Sequence, residues 1–409
     1  MSIENEKSVI GACLLDDHGL YTSLGMLKPY HFANDSFSRL FEMMRDMADN
    51  GEPVDSVTLA TKDMSFFPIV SECQDFVPTT ANVKHYAKNV IKAYQLRRLN
   101  ALSQIITDGE ESDPEKLIEQ IDAELLKIAS TVESRYSHIK SAVQSATKNL
   151  DKKGMLGIPT LWDTVDRNLS GLCPGSLYCI AGRPGMGKTA LATCLALNVA
   201  RRKNAVAFFT LEMTKDEMAT RMTCAEGKVN ITRARNRNLT QEEQIKWLDG
   251  AMKVSEMPIY VDDNSSMSMA KLKSQARIMK RKHDIKLIVV DYLQLMSGKG
   301  DTRQQEIGSI SRGLKVLAKE LNIPVVMLSQ LNRGLEARTD KRPMLADLRE
   351  SGDIEQDCDV VIMVYRAAEY DDNADPGQAE WIIRKNRSGQ QGVIKAQWIG
   401  QYCHYSESL

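Results

Sequence analysis

The chain is expected to join an all-α N-terminal block to an α/β domain built on a mostly parallel sheet. Three features of its 409 residues predict this. Apolar side chains recur at helical spacing through the first hundred positions. From Gly157 onward, short apolar runs alternate with helical segments. One of those runs, Leu177–Ala181, leads directly into a glycine-rich loop and then a helix.

Taken in order, residues 1–106 form the helical block, a module suited to docking or assembly. Ile10, Cys13 and Leu14 share one face, as do Phe37, Leu40, Phe41 and Met44. Gly51-Glu52-Pro53-Val54-Asp55 reads as a turn into a short helix at Ser56-Val57-Thr58-Leu59. A further helix runs from Asn82 to near Ile106, with Val83, Tyr86, Val90, Ile91 and Leu96 on its apolar side. Residues 107–156 form a linker. Its polar start ends at Asp113, which caps a helix opened by Pro114. Leu117, Ile121, Leu125 and Ile128 make one stripe on that helix, which packs either on its own domain or on a neighbouring subunit. Lys152-Lys153-Gly154 closes the linker. In residues 157–409 the expected strands are Leu177–Ala181, Ala205–Phe209, Ile259–Val261, Leu287–Val290, Val325–Leu328, Val360–Val364 and Trp381–Ile383.

Composition narrows the function. Hydrophobic residues at 43% and charged residues at 26% exclude a disordered, collagenous or small disulfide-stapled chain. No apolar run spans a bilayer and residues 1–20 lack a secretory pattern, so no membrane association is expected and the cytoplasm is the expected compartment. Lys and Arg number 53 against 54 Asp and Glu, so binding nucleic acid would need a local basic surface such as a channel lining. The eight cysteines form no C-x-x-C pair, and they read as reduced thiols rather than zinc ligands.

Gly182-Arg183-Pro184-Gly185-Met186-Gly187-Lys188-Thr189 fits G-x-x-x-x-G-K-[ST] throughout. Glycines let backbone N–H groups turn inward around phosphate oxygens; Lys188 then reaches the β and γ phosphates, and Thr189 ligates Mg²⁺. The following helix offers its N-terminus to an anion. ATP and Mg²⁺ are the expected ligands. Such a site also needs a carboxylate at the end of a second strand to hold Mg²⁺ through water, and Leu287-Ile288-Val289-Val290-Asp291 has that form. Glu212, just after the run Ala205–Phe209, is placed either for general-base work or for simple solvation. Gln330, at the tip after Val325–Leu328, is either a γ-phosphate sensor or an ordinary loop amide. Lys385 and Arg387 flank Asn386 ahead of a turn at Gly389. They are either a solvated face or a pair supplied to a neighbour's nucleotide, and the second reading requires a ring or filament.

With these segments stand Asp291-Tyr292-Leu293-Gln294-Leu295-Met296, Ile310-Ser311-Arg312-Gly313-Leu314-Lys315, Ser329-Gln330-Leu331-Asn332-Arg333 and Leu348-Arg349-Glu350-Ser351-Gly352-Asp353-Ile354-Glu355-Gln356-Asp357. In this order they resemble a DnaB-type replicative DNA helicase over nearly the whole chain. The turn at Gly51–Asp55 before Val57-Thr58-Leu59 is similar to that family's helical N-terminal domain. The resemblance implies a RecA-like P-loop ATPase motor in a homohexameric ring, which encircles one strand and unwinds duplex DNA 5′ to 3′. It also implies a primosome, with primase and a helicase loader as partners. Lys188 and Thr189 then match the family's phosphate and Mg²⁺ residues, Glu212 its catalytic carboxylate and Asp291 its second acidic motif. Gln330 matches the coupling glutamine, and Lys385 and Arg387 the basic pair supplied in trans. Arg349, Glu350 and Gly352 fall in what resembles the inner loop that grips single-stranded DNA by its phosphates.

There are departures from the family pattern. Asn386 and Ser388 stand where the family more often has Gln and Asn, and Leu161-Trp162 replaces the usual Gly-Phe. The abbreviated stretch 61–80 and the short chain are similar to phage- or plasmid-encoded members. A RecA-like strand-exchange protein would share the phosphate loop and Asp291, but neither the helical block nor the Arg349–Gly352 loop. A decoy subunit without turnover would have no use for Lys188, Glu212, Asp291 and Arg387 together.

Overall fold

Helical periodicity in the N-terminal block becomes the helices Ser2–Leu15, Asp17–Met26, Asp35–Asp49, Ser56–Lys62, Phe67–Phe76 and Val83–Asp108 in a computed structural model of the chain. The structure describes residues 2–108 and 155–408 except 294, 295 and 297–301, with positions 117, 120, 121, 124, 125, 128, 139, 143 and 147. Side-chain caps set the helix starts. The Asn34 side chain accepts from the Ser36 and Phe37 backbone N–H groups, and Asp55 accepts from Val57 and Thr58. Leu40, Phe41, Met44, Leu59, Val70 and Val90 then close one core.

Asp113, Pro114 and the Lys152–Gly154 closure lie outside the described residues. Farther along the stripe, Ile128 is buried and its carbonyl accepts from the Gln95 side chain at 3.1 Å. Arg98 pairs with Glu124, so this stretch touches the helix Val83–Asp108 of its own chain. Leu125, Ile139 and Val143 stay exposed.

Packing in this unit shifts one titration. His31 is buried, its Nδ1 accepts from the Lys28 backbone N–H at 3.0 Å, and Nε2 has no partner among the described residues. Burial, with Arg97, Lys28 and Arg45 adding repulsion, pushes its pKa down to about 4. Between that value and the ordinary 6.5 the unfolded chain binds more protons, so stability is present above the window and lost as pH falls through it. The wild-type N-terminal unit should lose most of about 3 kcal/mol between pH 7 and pH 4, and His31→Gln should lose correspondingly less. Urea unfolding at both pH values checks this; equal losses in the two proteins would clear His31 of the effect.

Residues Lys153–Leu409 form the second compact unit, and Met1–Lys152 the first. The second is built on strands β1 (Leu177–Gly182), β2 (Val206–Thr210), β3 (Ile259–Asp262), β4 (Leu287–Asp291) and β5 (Val325–Gln330). After them come β6 (Val360–Tyr365), β7 (Gln378–Asn386), β8 (Gly392–Ile399) and β9 (His404–Glu407). Together they make one sheet in the order β3-β2-β4-β5-β1-β6-β7-β8-β9. The first six strands are mutually parallel, and β7, β8 and β9 are added antiparallel.

Strands β1, β2 and β4 are buried at every residue, as expected of parallel strands covered on both faces. Phe208, Val289 and Leu328 meet the helices Lys188–Arg201 and Lys215–Gly227 through Leu191, Leu195, Met218 and Met222. Phe209, Val290 and Met327 face the helices Met269–His283 and Arg303–Leu321 through Leu272, Ala276, Ile310 and Leu314. All seven expected runs are strands. The additions are β8 and β9.

Candidate nucleotide site

Parallel strands bring their C-terminal ends to one edge, where α/β sheets place ligands. The register here sets Gly182 opposite Gln330 and Thr210 opposite Asp291. Backbone bonds hold the alignment: Leu331 N–H donates to the Gly182 carbonyl at 3.3 Å and Leu211 N–H to the Asp291 carbonyl at 2.7 Å. Gly182, Gln330, Asp291 and the exposed Glu212 after β2 therefore share that edge. From Gly182 the chain turns through Arg183, Pro184, Gly185, Met186 and Gly187 into the helix starting at Lys188. Gly185 and Gly187 have φ of 83° and 82°, a region that side chains disfavour. A Cβ on Gly187 would also come within 2.9 Å of the Tyr405 ring.

Charges at the edge are tightly coupled. Lys188 Nζ donates to the Arg183 carbonyl at 3.2 Å. Burial lowers the pKa of Lys188, and the nearby Asp291 and Glu212 carboxylates oppose that shift. Asp291 is itself buried, which raises its pKa to about 6. The Thr189 hydroxyl donates to it and, with Lys188 and Arg221, favours its ionised form, whereas Glu212 raises the pKa further. Asp291 Oδ2 has no hydrogen-bond partner among the described residues. That orphaned carboxylate oxygen, beside a hydroxyl, is the donor chemistry a hard cation prefers. The residues present thus fit Mg²⁺, which Thr189 and Asp291 would hold.

The loop is braced by residues that sequence spacing does not single out. Tyr405 is fully buried, and its hydroxyl donates to the Met186 carbonyl at 2.6 Å. Arg366, after β6, donates to the Gly185 carbonyl at 3.2 Å while its guanidinium lies 5.0 Å from the Trp398 ring centre. Arg183 pairs with Glu336 at 2.7 Å and donates to the Leu331 carbonyl at 2.8 Å, beside Gln330. The unusual Trp162 packs on Trp381 at 4.7 Å, and Trp381 meets Tyr405 at 5.9 Å. An aromatic chain therefore runs from the start of this unit to the phosphate loop.

Lys385 and Arg387 lie elsewhere. Lys385 Nζ donates to the Glu355 carbonyl, and Arg387 Nη2 to the Gln356 carbonyl at 2.5 Å. Their turn sits at the opposite end of β1 from Gly182, since Asn386 pairs with Val360 and Val360 neighbours Tyr178. Arg349 and Glu350 fall in the 3₁₀ segment Leu345–Ser351, and Gly352 opens the helix Gly352–Asp357. Their side chains are outside the described ones. The segment is held by Leu348, which is buried, and by Asp347, whose carboxylate takes Arg338 at 2.7 Å and whose carbonyl takes the Asn332 N–H at 3.0 Å.

Known proteins are similar to this chain in sequence and fold. Residues 1–92 match the DnaB-like helicase N terminal domain, and residues 157–407 the DnaB-like helicase C terminal domain. The replicative DNA helicase DnaB of Geobacillus stearothermophilus is 38% identical, across 98% of this chain and 93% of that one. The replicative DNA helicase DnaC of Bacillus subtilis (strain 168) is 36% identical with the same coverage. A solved DnaB-like replicative helicase, described with its primase interactions, superposes over 100% of both chains with a TM-score of 0.77 and 29% identity. A second solved structure, of an ATPase domain alone, superposes on 67% of this chain and 100% of its own, with a TM-score of 0.65 and 33% identity. With both regions matched in order and relatives aligned over nearly the whole length, the chain belongs to the DnaB-like replicative DNA helicases and is an ATP-dependent enzyme of that class.

Proposed function

We propose that this helicase hydrolyses MgATP at sites completed between subunits of a homohexameric ring and moves 5′ to 3′ along the strand it encircles. The observation that carries this reading is the separation of Arg387 from its own phosphate loop. The Arg387 backbone donates to the Asp359 carbonyl, level with Leu177, whereas the loop starts five residues up β1 at Gly182. At about 3.3 Å per residue the two lie about 16 Å apart, beyond the reach of one side chain. A residue that serves only a neighbour makes the subunit contact head-to-tail, and such contacts give a ring where the rotation closes and a filament where it does not; the ring is the form implied by the family.

Within one site, Lys188 holds the β and γ phosphates, and Thr189 and Asp291 hold Mg²⁺, which neutralises charge developing on the transferred phosphoryl oxygens. Glu212 accepts the proton of the attacking water. Gln330 reports the γ phosphate along its own strand end to Asn332, and so to the Asp347 contact and the segment carrying Arg349 and Glu350. Those residues and Gly352 contact DNA phosphates. Residues 1–106 serve as the docking unit, 107–156 as the linker and 157–409 as the motor, with the exposed Leu125, Ile139 and Val143 available to a neighbouring subunit. Primase and a helicase loader are the proposed partners of the docking unit.

Strand displacement on duplexes with only a 5′ or only a 3′ tail tests the direction, and unwinding from the 3′ tail alone would overturn it. Arg349→Ala should weaken single-strand binding about equally across sequences and reduce the salt slope by about 1. Fluorescence anisotropy across a salt series reads both quantities; a changed sequence preference with an intact slope would remove Arg349 from the DNA contact.

A further inference from the structure

We propose that Asp359 is a positioning residue for Arg387, aiming its guanidinium at the neighbouring subunit's nucleotide. The proposal rests on Arg387 acting in trans. Asp359 lies between the helix Gly352–Asp357 and β6, and its two carboxylate oxygens do different work. Oδ2 is fixed from two sides: the Leu177 N–H donates to it at 2.7 Å and Lys315 Nζ at 2.6 Å, and Lys315 also donates to the Gly175 carbonyl at 2.9 Å. That leaves Oδ1 for Arg387, whose Nη1 is 3.5 Å away. Arg387 Nη2 meanwhile donates to the Gln356 carbonyl at 2.5 Å.

The guanidinium is therefore anchored along one side. It carries five N–H donors in a rigid fork, so the remaining donors are left to point outward. The side chain is 51% exposed, which suits a group waiting for an anion from outside its own chain. An unanchored arginine samples many rotamers, and holding it near one geometry raises the fraction of encounters that are productive.

The anchor is also a mechanical link. Lys385 takes the Glu355 carbonyl, and Arg387 the Gln356 carbonyl, at the last turn of the helix whose first residue is Gly352. Ser311 Oγ donates to Asp357 at 2.6 Å, and Lys315 to Asp359, so the helix Arg303–Leu321 holds the same end. One six-residue helix, about 9 Å long, thus separates the proposed DNA-facing segment from the arginine. A shift of that segment on a bound strand changes where Arg387 points.

A double-mutant cycle tests this. Turnover stimulated by single-stranded DNA, KM for ATP and melting temperature are measured for Asp359→Asn, Arg387→Ala and the double variant. Asp359→Asn should lower kcat on the order of tenfold with KM within about twofold, and the double variant should be no slower than Arg387→Ala. A double variant roughly tenfold slower still would mean that Asp359 acts through the fold, overturning the proposal. Unchanged kcat in Arg387→Ala would instead sink the trans reading, and this proposal with it. If Asp359→Asn does not fold, Lys315→Gln removes one of the two donors that fix Oδ2 while keeping the oxygen that faces Arg387. Its smaller kcat loss should vanish in the Arg387→Ala background, and persistence there would be the overturning result.

Discussion

Arg387→Ala is expected to cut ATP turnover by about 10³-fold or more while changing nucleotide affinity by less than about threefold. The asymmetry follows from when the guanidinium acts. In the proposed shared site it would meet negative charge that grows on the γ phosphoryl only as the transition state forms, so the ground state would lose little. A subunit cannot use its own copy, because its loop lies at the other end of β1. Lys188→Ala should fail differently, by losing the point charge that holds the β and γ phosphates. Mixing the two variants then creates some interfaces with a sound loop on one side and a sound Arg387 on the other. ATPase activity of the mixture should exceed that of either variant alone. Failure to recover, in mixtures shown to have exchanged subunits, would rule out a shared site.

Glu212→Gln is expected to bind ATP normally and hydrolyse it about 10²–10⁴-fold more slowly. The amide keeps the side chain's size but cannot take a proton from water. A second consequence comes from the coupling around Asp291, whose pKa the Glu212 charge raises. Removing that charge should let Asp291 stay ionised to lower pH, so Mg²⁺-dependent nucleotide binding in the variant should persist to more acidic solution than in the wild type. Single-turnover hydrolysis and a pH series of nucleotide binding read the two effects separately. Near-normal hydrolysis would strip Glu212 of its assigned role.

The parallel part of the sheet was legible because its central strands are buried on both faces and read as unbroken apolar runs, Leu287–Val290 being the plainest. The same property singled out Asp291: a carboxylate closing such a run is commonly a loop cap, and it was the phosphate loop elsewhere in the sequence that favoured a ligand role. Strand β8 escaped notice because the buried Ile394 and Ala396 alternate with exposed Val393, Lys395 and Gln397, a half-wet pattern near the edge of the sheet. The short β9 carries no run at all. With those strands went Tyr405 and Trp398, which act on the phosphate loop only because the fold returns them to it. Arg366 and Arg221 were missed for the same reason: their roles depend on what lies across space, and nothing in local spacing marks it. The linker stripe left two readings open, and the Gln95 and Arg98 contacts now tie part of it to its own chain.

Tyr405 also bears on how the protein is made. The hydroxyl that holds the Met186 carbonyl comes 219 residues later in the chain. At translation speeds of about 5–20 residues per second, the ribosome delivers that hydroxyl roughly ten to forty seconds after the loop it supports. Until then Met186 lacks its donor and Gly187 lacks its wall, so the nascent loop is unbraced. A chain cut short by a premature stop before β9 would carry every residue of the motif and still lack the hydroxyl that braces it. The brace on the phosphate loop is thus completed only when synthesis is nearly finished.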